Sequence, residues 1–176
     1  MWTVDLMPGS GSQLGRARPS SRLRELGIEL PQAPSPLGAY VPCARVGDLL
    51  FLSGMLPLVD GRLAFAGRLG LSLSLPDARE AARLAALNAL SVADLHLPGI
   101  DGIAGLVRLG LSITTTEDFT EHAAVADGAS ELFMQIFGRE PGHTRLINGV
   151  QSLPLGAPLV LEVIFRVSDA DPHEST

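Results

Sequence analysis

The chain has no lysine at all, and only one cysteine, one tryptophan and one tyrosine. Each scarcity excludes something. A single thiol, Cys43, permits no internal disulfide, so a reducing, cytoplasmic setting is the default expectation. Aromatic residues are 5% of the total, too few for base-stacking platforms, and a formal net charge of −6 opposes a phosphate-binding surface. The one basic cluster, Arg16, Arg18, Arg22 and Arg24, falls in or beside the N-terminal segment. No apolar run approaches the roughly 18–20 residues that a membrane-spanning helix needs, and the N-terminal stretch lacks the apolar centre of a signal peptide. Neither nucleic acid nor membrane is an expected partner.

What is present suits one compact domain: 176 residues, 46% of them hydrophobic, with a positive mean hydropathy. Residues 1–22 read as a flexible arm, 23–168 as the domain and 169–176 as a disordered tail. A short helix is expected in 20–28, capped by Ser20 or Ser21, and three prolines extend the segment that follows. The stretch 40–46, a Gly47-Asp48 turn and 49–53 predict a β-hairpin. Its second strand is apolar throughout, which predicts burial on both faces. Asp60-Gly61 marks a further turn.

Two helices stand out. The first runs over 74–97 with Ser74 as cap, Pro76 in the first turn and a buried stripe of Ala81, Leu84, Ala85, Asn88, Val92 and Leu95. Asn88 on an apolar stripe implies a structural hydrogen-bond network. The second starts from a cap at Asp118 or Thr120 and ends at Gly138, burying Val125, Ala129, Leu132, Phe133 and Ile136. Strands are expected over 103–116, 145–150 and 159–167. The order strand, strand, helix, strand, helix, strand, strand is an α+β pattern: a mostly antiparallel sheet with two helices on one face.

Familiar nucleotide loops are absent, and His96, His122, His143 and His173 lack metal-ligand spacing. Cys43 reads as a passive, partly buried thiol. Attention falls instead on Tyr40, Ser53-Gly54 and Arg145. Taken singly these are a packed ring, a turn and a solvated strand-end cation.

Taken together with LGAY (37–40), FLSGMLP (51–57), AARLAALNAL (81–90), DFTEHAAVADGASELF (118–133), GHTRLINGVQSLP (142–154) and LEVIF (161–165), they resemble the RidA (YjgF) family, called endoribonuclease L-PSP in older usage. The opening 26–42 is most similar to the family's longer branch. The resemblance implies a chorismate-mutase-like fold and a homotrimer with clefts between subunits. It also implies hydrolysis of reactive 2-imino and 2-enamino acids to 2-keto acids and ammonia, without a cofactor or metal. Arg145 stands where the family holds the substrate carboxylate through two parallel hydrogen bonds. Gly54, with Ser53, stands where backbone is offered to the substrate, and Tyr40 where a tyrosine lines the cleft from across the interface.

Several positions depart from the family pattern. Val160 occupies the place of the glutamate that activates water, and Glu162 lies about 6.5 Å further along the strand. Met55 replaces a glutamine, Ile147 a cysteine or small residue, and Asp127 an asparagine of the second helix. Asn148 is an added polar group. Asp127 is a candidate replacement base and His143 a candidate proton carrier. Two readings follow: a deaminase with a non-standard water activator, or a repurposed cleft that binds a small carboxylate as a sensor or scaffold, or in specialised metabolism. The ribonuclease implied by the older name is opposed by charge and composition.

Overall fold

The computed structural model describes residues 17–139 and 142–168. The expected C-terminal tail and most of the expected arm lie outside the described residues.

A five-stranded sheet carries the fold, in the order β1 (Cys43–Val46), β2 (Leu49–Leu52), β7 (Leu159–Val167), β5 (Ile103–Thr114), β6 (Thr144–Val150). The pairs β1–β2, β2–β7 and β5–β7 are antiparallel, and only β5–β6 is parallel. A small hairpin, β3 (Leu58–Val59) and β4 (Arg62–Leu63), turns at Asp60-Gly61, where both residues have positive φ (50° and 74°). This is the backbone that a two-residue hairpin turn demands. Among the described residues three α-helices accompany the sheet: α1 (Pro19–Glu25), α2 (Leu75–His96) and α3 (His122–Phe137). The expected α+β architecture holds.

Strand alternation divides the sheet cleanly. Leu109, Leu111, Ile113, Leu159, Leu161, Val163 and Phe165 are fully buried under α2 and α3. Their neighbours Val160, Glu162, Ile164 and Arg166 point to the other face, which no helix among the described residues covers. The same division corrects the expectation for the 49–52 strand. Leu50 and Leu52 are buried, but Phe51, on the open face, is 38% exposed. An unbroken apolar run suggested two buried faces; one is core and one is uncovered.

α2 presents mostly alanine to the core, with Ala78, Ala81, Ala82, Ala85, Ala86, Ala89 and Ala93 buried. Small side chains bring the helix axis close to its neighbours, so Leu95, expected inside, projects outward at 69% exposure, and Leu84 is half-buried. At the α2–α3 crossing the approach reaches backbone contact: a Cβ on Gly128 would lie 2.1 Å from the Arg79 carbonyl oxygen. The α2 cap is as expected, with Ser74 Oγ accepting from the Asp77 amide at 3.2 Å.

Asn88 is 1% exposed, and its amide nitrogen donates to the Leu56 and Leu58 carbonyls at 2.9 and 3.0 Å. This ties the small hairpin to α2. Asn88→Ala removes both bonds, leaving the Leu56 carbonyl with the Leu58 amide as donor at 3.0 Å, and is expected to lower stability by about 2 kcal/mol in chemical denaturation.

Both other caps differ from expectation. α1 starts at Pro19 with Arg18 as N-cap and no side-chain cap bond, because Ser20 is engaged elsewhere. Its amide and hydroxyl both donate to Asp101, at 2.8 Å each. With Arg22 Nε donating to the Gln135 carbonyl at 3.1 Å, α1 is docked on the domain across the expected 22/23 boundary. α3 begins at His122 rather than after Asp118 or Thr120. Phe119 explains the delay: it packs against the core and sets its ring edge-on to His122, 5.2 Å between centroids.

Candidate functional site

Arg145 is the second residue of β6, an edge strand, and pairs in register with the buried Leu109. Paired residues of neighbouring strands share a face, so Arg145 projects to the helix side at the sheet's margin. Its Nη1 donates to Asp127 Oδ1 at 2.6 Å and to Ser130 Oγ at 3.3 Å. Asp127 and Ser130 are three apart on α3 and therefore share a helix face. The side chains of Arg145 and Asp127 are 28% and 42% exposed, so the pair is screened on one side only. Among the described residues nothing engages Nη2 or Nε.

Ser130, 4% exposed, is also 3.1 Å from His143 Nε2. Burial first, and the positive charge of Arg145 second, hold the His143 pKa below its usual value. A neutral imidazole suits this chain of bonds: Ser130 accepts from Arg145 and donates its own hydrogen to His143. The linkage has a definite sign. Below about pH 6.5 the unfolded chain binds a proton that the folded chain resists. Stability therefore declines as pH falls from there toward the folded-state pKa and levels off beneath it. The slope of the thermal midpoint against pH over that window should be shallower in His143→Gln than in the wild type.

Gly54, Val160 and Tyr40 form a second group. A Cβ at Gly54 would sit 2.7 Å from Val160 Cγ1, so glycine's missing side chain is what lets this backbone lie on β7. The neighbouring amides are paired, Ser53 N to the Pro42 carbonyl at 2.9 Å and Met55 N to the Leu161 carbonyl at 2.7 Å. Gly54 itself has no backbone partner among the described residues. The Ser53 hydroxyl donates to the Val41 carbonyl at 2.7 Å, which makes it a brace for the loop. Tyr40, 48% exposed, accepts from the Leu37 amide at 3.1 Å and borders a narrow groove with Pro36, Gly54 and Leu56.

Met55 is 5% exposed, belongs to the main core and also lines that groove. Ile147 follows Arg145 on the same face and packs on the core. On the open face a shallow depression of about 280 Å³ gathers Gly54, Arg108, Ser112, Asn148, Val160 and Glu162. Glu162 is exposed, and the absence of a side chain at Gly110 leaves it room, with Oε2 3.3 Å from a Cβ built there. Val160 and Arg145 thus occupy opposite faces of the sheet, and one chain does not bring the two groups together. Among the described residues no cluster of three or more His, Cys, Asp and Glu side chains is placed to hold a metal, and no helix is long and apolar enough to cross a membrane.

The family model described as "YjgF/chorismate mutase-like, putative endoribonuclease" matches residues 20–167. The chain belongs to the RidA (YjgF) family. "Protein TCP17" of Trypanosoma cruzi is 35% identical over 159 residues, covering 90% of this chain and 99% of that protein. The crystal structure of a protein of unknown function, Atu1372 from Agrobacterium tumefaciens, superposes with a TM-score of 0.75 at 31% identity, over 85% of this chain and 91% of that one. RidA from an Antarctic Psychrobacter shares the fold at 20% identity and a TM-score of 0.57, over 77% and 94% of the two chains.

Within this RidA-family chain, sequence reasoning passed over Ser130. The signal was present: a hydroxyl three residues after Asp127, next to the buried Ala129, has to find polar partners within the fold.

Proposed function

We propose that the protein hydrolyses small 2-imino and 2-enamino acids to 2-keto acids and ammonia, with Arg145 gripping the substrate carboxylate. The observation that supports this most is the state of Arg145: held by Asp127 and Ser130 through one nitrogen, with the rest of the guanidinium open. A guanidinium fixed in this way is ready to make two parallel bonds to a carboxylate. The reading includes a homotrimer. A cleft between subunits joins the Arg145 edge of one chain to the Tyr40–Gly54 surface of the next, and the partly apolar open face around Phe51 and Ile164 is covered in the assembly. A cytoplasmic setting fits the lone Cys43, whose thiol is pushed up in pKa by burial.

The chemistry is simple. An enamine first takes a proton at its β-carbon to become the iminium. Water adds to the iminium carbon and gives up a proton, and the nitrogen takes one. The carbon–nitrogen bond then breaks as the hydroxyl loses its proton, releasing ammonia and the keto acid. Asp127 bonds to the same guanidinium through Nη1 and is assigned the proton-transfer role that Val160 cannot fill.

The second reading, a carboxylate-binding protein without turnover, draws on Val160 itself: an apolar side chain packed against Gly54 where the family has its acid. Ammonia release from freshly generated 2-aminoacrylate and 2-iminobutyrate separates the two. Acceleration by the wild type supports the deaminase. No acceleration by a folded oligomer, with turnover appearing in Val160→Glu, supports a binding protein that has lost its acid.

A further inference from the structure

We propose that the Arg145–Asp127 pair recognises zwitterions: ligands with a carboxylate and a positively charged nitrogen on the adjacent carbon, in preference to simple carboxylates. This deepens the carboxylate-site reading and rests on it.

The argument starts from what each partner leaves unused. Asp127 Oδ1 accepts from Nη1 at 2.6 Å, and Ser130 takes its bond from the same nitrogen. Among the described residues Nη2 and Nε are unengaged, and so is Asp127 Oδ2, on a side chain 42% exposed. The pair therefore presents a free double donor beside a free anionic acceptor. An α-ammonium or iminium acid has the complementary pattern, with its carboxylate and its N–H groups one carbon apart. The carboxylate takes the guanidinium, and the nitrogen takes Oδ2. Neither the internal ion pair nor the ligand's charges need be left uncompensated.

A ligand with only a carboxylate fares differently. It gains the guanidinium but brings its negative charge against Asp127, and like charges at that range oppose each other. Binding it requires Asp127 to turn away from the ligand. The built-in carboxylate thus raises selectivity by repelling the wrong ligand as well as attracting the right one. For the proposed reaction the consequence is directional. The iminium substrate carries the cation that Asp127 reads, whereas the keto-acid product has lost it. The pair favours entry of the first and release of the second, and it stabilises the protonated imine that water attacks.

Three four-carbon acids that differ only at the second carbon test this: 2-aminobutyrate, 2-hydroxybutyrate and 2-oxobutyrate. Titration calorimetry at low salt, near pH 7.5, is run on wild type, Asp127→Asn and Arg145→Ala, each checked for folding and oligomeric size. The wild type is expected to bind 2-aminobutyrate about tenfold more tightly than the other two. Asp127→Asn should abolish that preference by weakening 2-aminobutyrate and strengthening 2-oxobutyrate. Equal affinities in the wild type, or a preference that survives Asp127→Asn, would overturn the inference while leaving the carboxylate site standing. Binding that persists in Arg145→Ala, or no binding of any of the three to the wild type, would remove the carboxylate site and the inference with it.

Discussion

Arg145→Ala should lose nearly all imine-hydrolysing activity, with kcat/KM falling about a thousandfold. Two effects act together. The substrate loses its bidentate anchor, and Asp127, relieved of its 2.6 Å partner, turns the same spot into an anion-repelling one. Arg145→Lys keeps the charge but not the fork, so it should recover part of the loss, within about tenfold to a hundredfold of the wild type. Neither variant should unfold, because Arg145 lies on an edge strand and its side chain is partly in water. Coupled ammonia detection with thermal melts on the same samples checks both halves. A wild-type rate in Arg145→Ala would end the assignment of this residue to the carboxylate.

Gly128→Ala should be strongly destabilising, at about 3 kcal/mol and a thermal midpoint about 10 °C lower. The added carbon would land 2.1 Å from the Arg79 carbonyl oxygen and 3.0 Å from Arg79 Cα. Backbone cannot rotate out of the way as a side chain can, so α2 and α3 must part. Two further ties resist that separation: Arg79 Nη1 donates to the Ala124 carbonyl at 2.7 Å, and Arg79 Nη2 to Glu131 at 2.9 Å. Gly128 also stands between Asp127 and Ser130, so activity should fall in molecules that remain folded. Thermal denaturation beside Gly47→Ala, a turn glycine with open space around it, separates collision from loss of backbone freedom. An unchanged midpoint in Gly128→Ala would mean that the helices do not touch there.

The elements with strong local signals were readable in advance. Ser74 with Asp77 and Gly138 after the apolar stripe of α3 each specify their local backbone without reference to the rest of the chain, and the β-branched, aromatic run 159–167 reads as a strand by composition. The misreadings came where tertiary contacts prevail. Phe119 holds its segment on the core and postpones α3, and Asp101 draws Ser20 out of a capping role. The outward turn of Leu95 depends on how closely an alanine face can pack. At the site, the motif singled out Arg145, Gly54 and Tyr40. It could not reveal that Asp127 bonds directly to Arg145, because that pairing needs α3 to cross beside β6 at one height. Nor does strand parity alone say that Val160 and Arg145 end up on opposite faces, which follows from the pairing of each with β5.

The single parallel pair in the sheet has one more consequence. Parallel neighbours require a crossover, and here α3 is that crossover, between β5 and β6. Arg145, Asp127, Ser130 and His143 all belong to this one strand–helix–strand unit or to the turn that enters its last strand. The β1–β2 hairpin, with Tyr40 ahead of it and Gly54 behind it, attaches at the other side of the sheet through β7. The two halves of the proposed ligand surface therefore reside in separately attached parts of one polypeptide. Transient opening of the hairpin, of the kind that amide hydrogen exchange detects, should leave the Arg145–Asp127–Ser130 contacts in place.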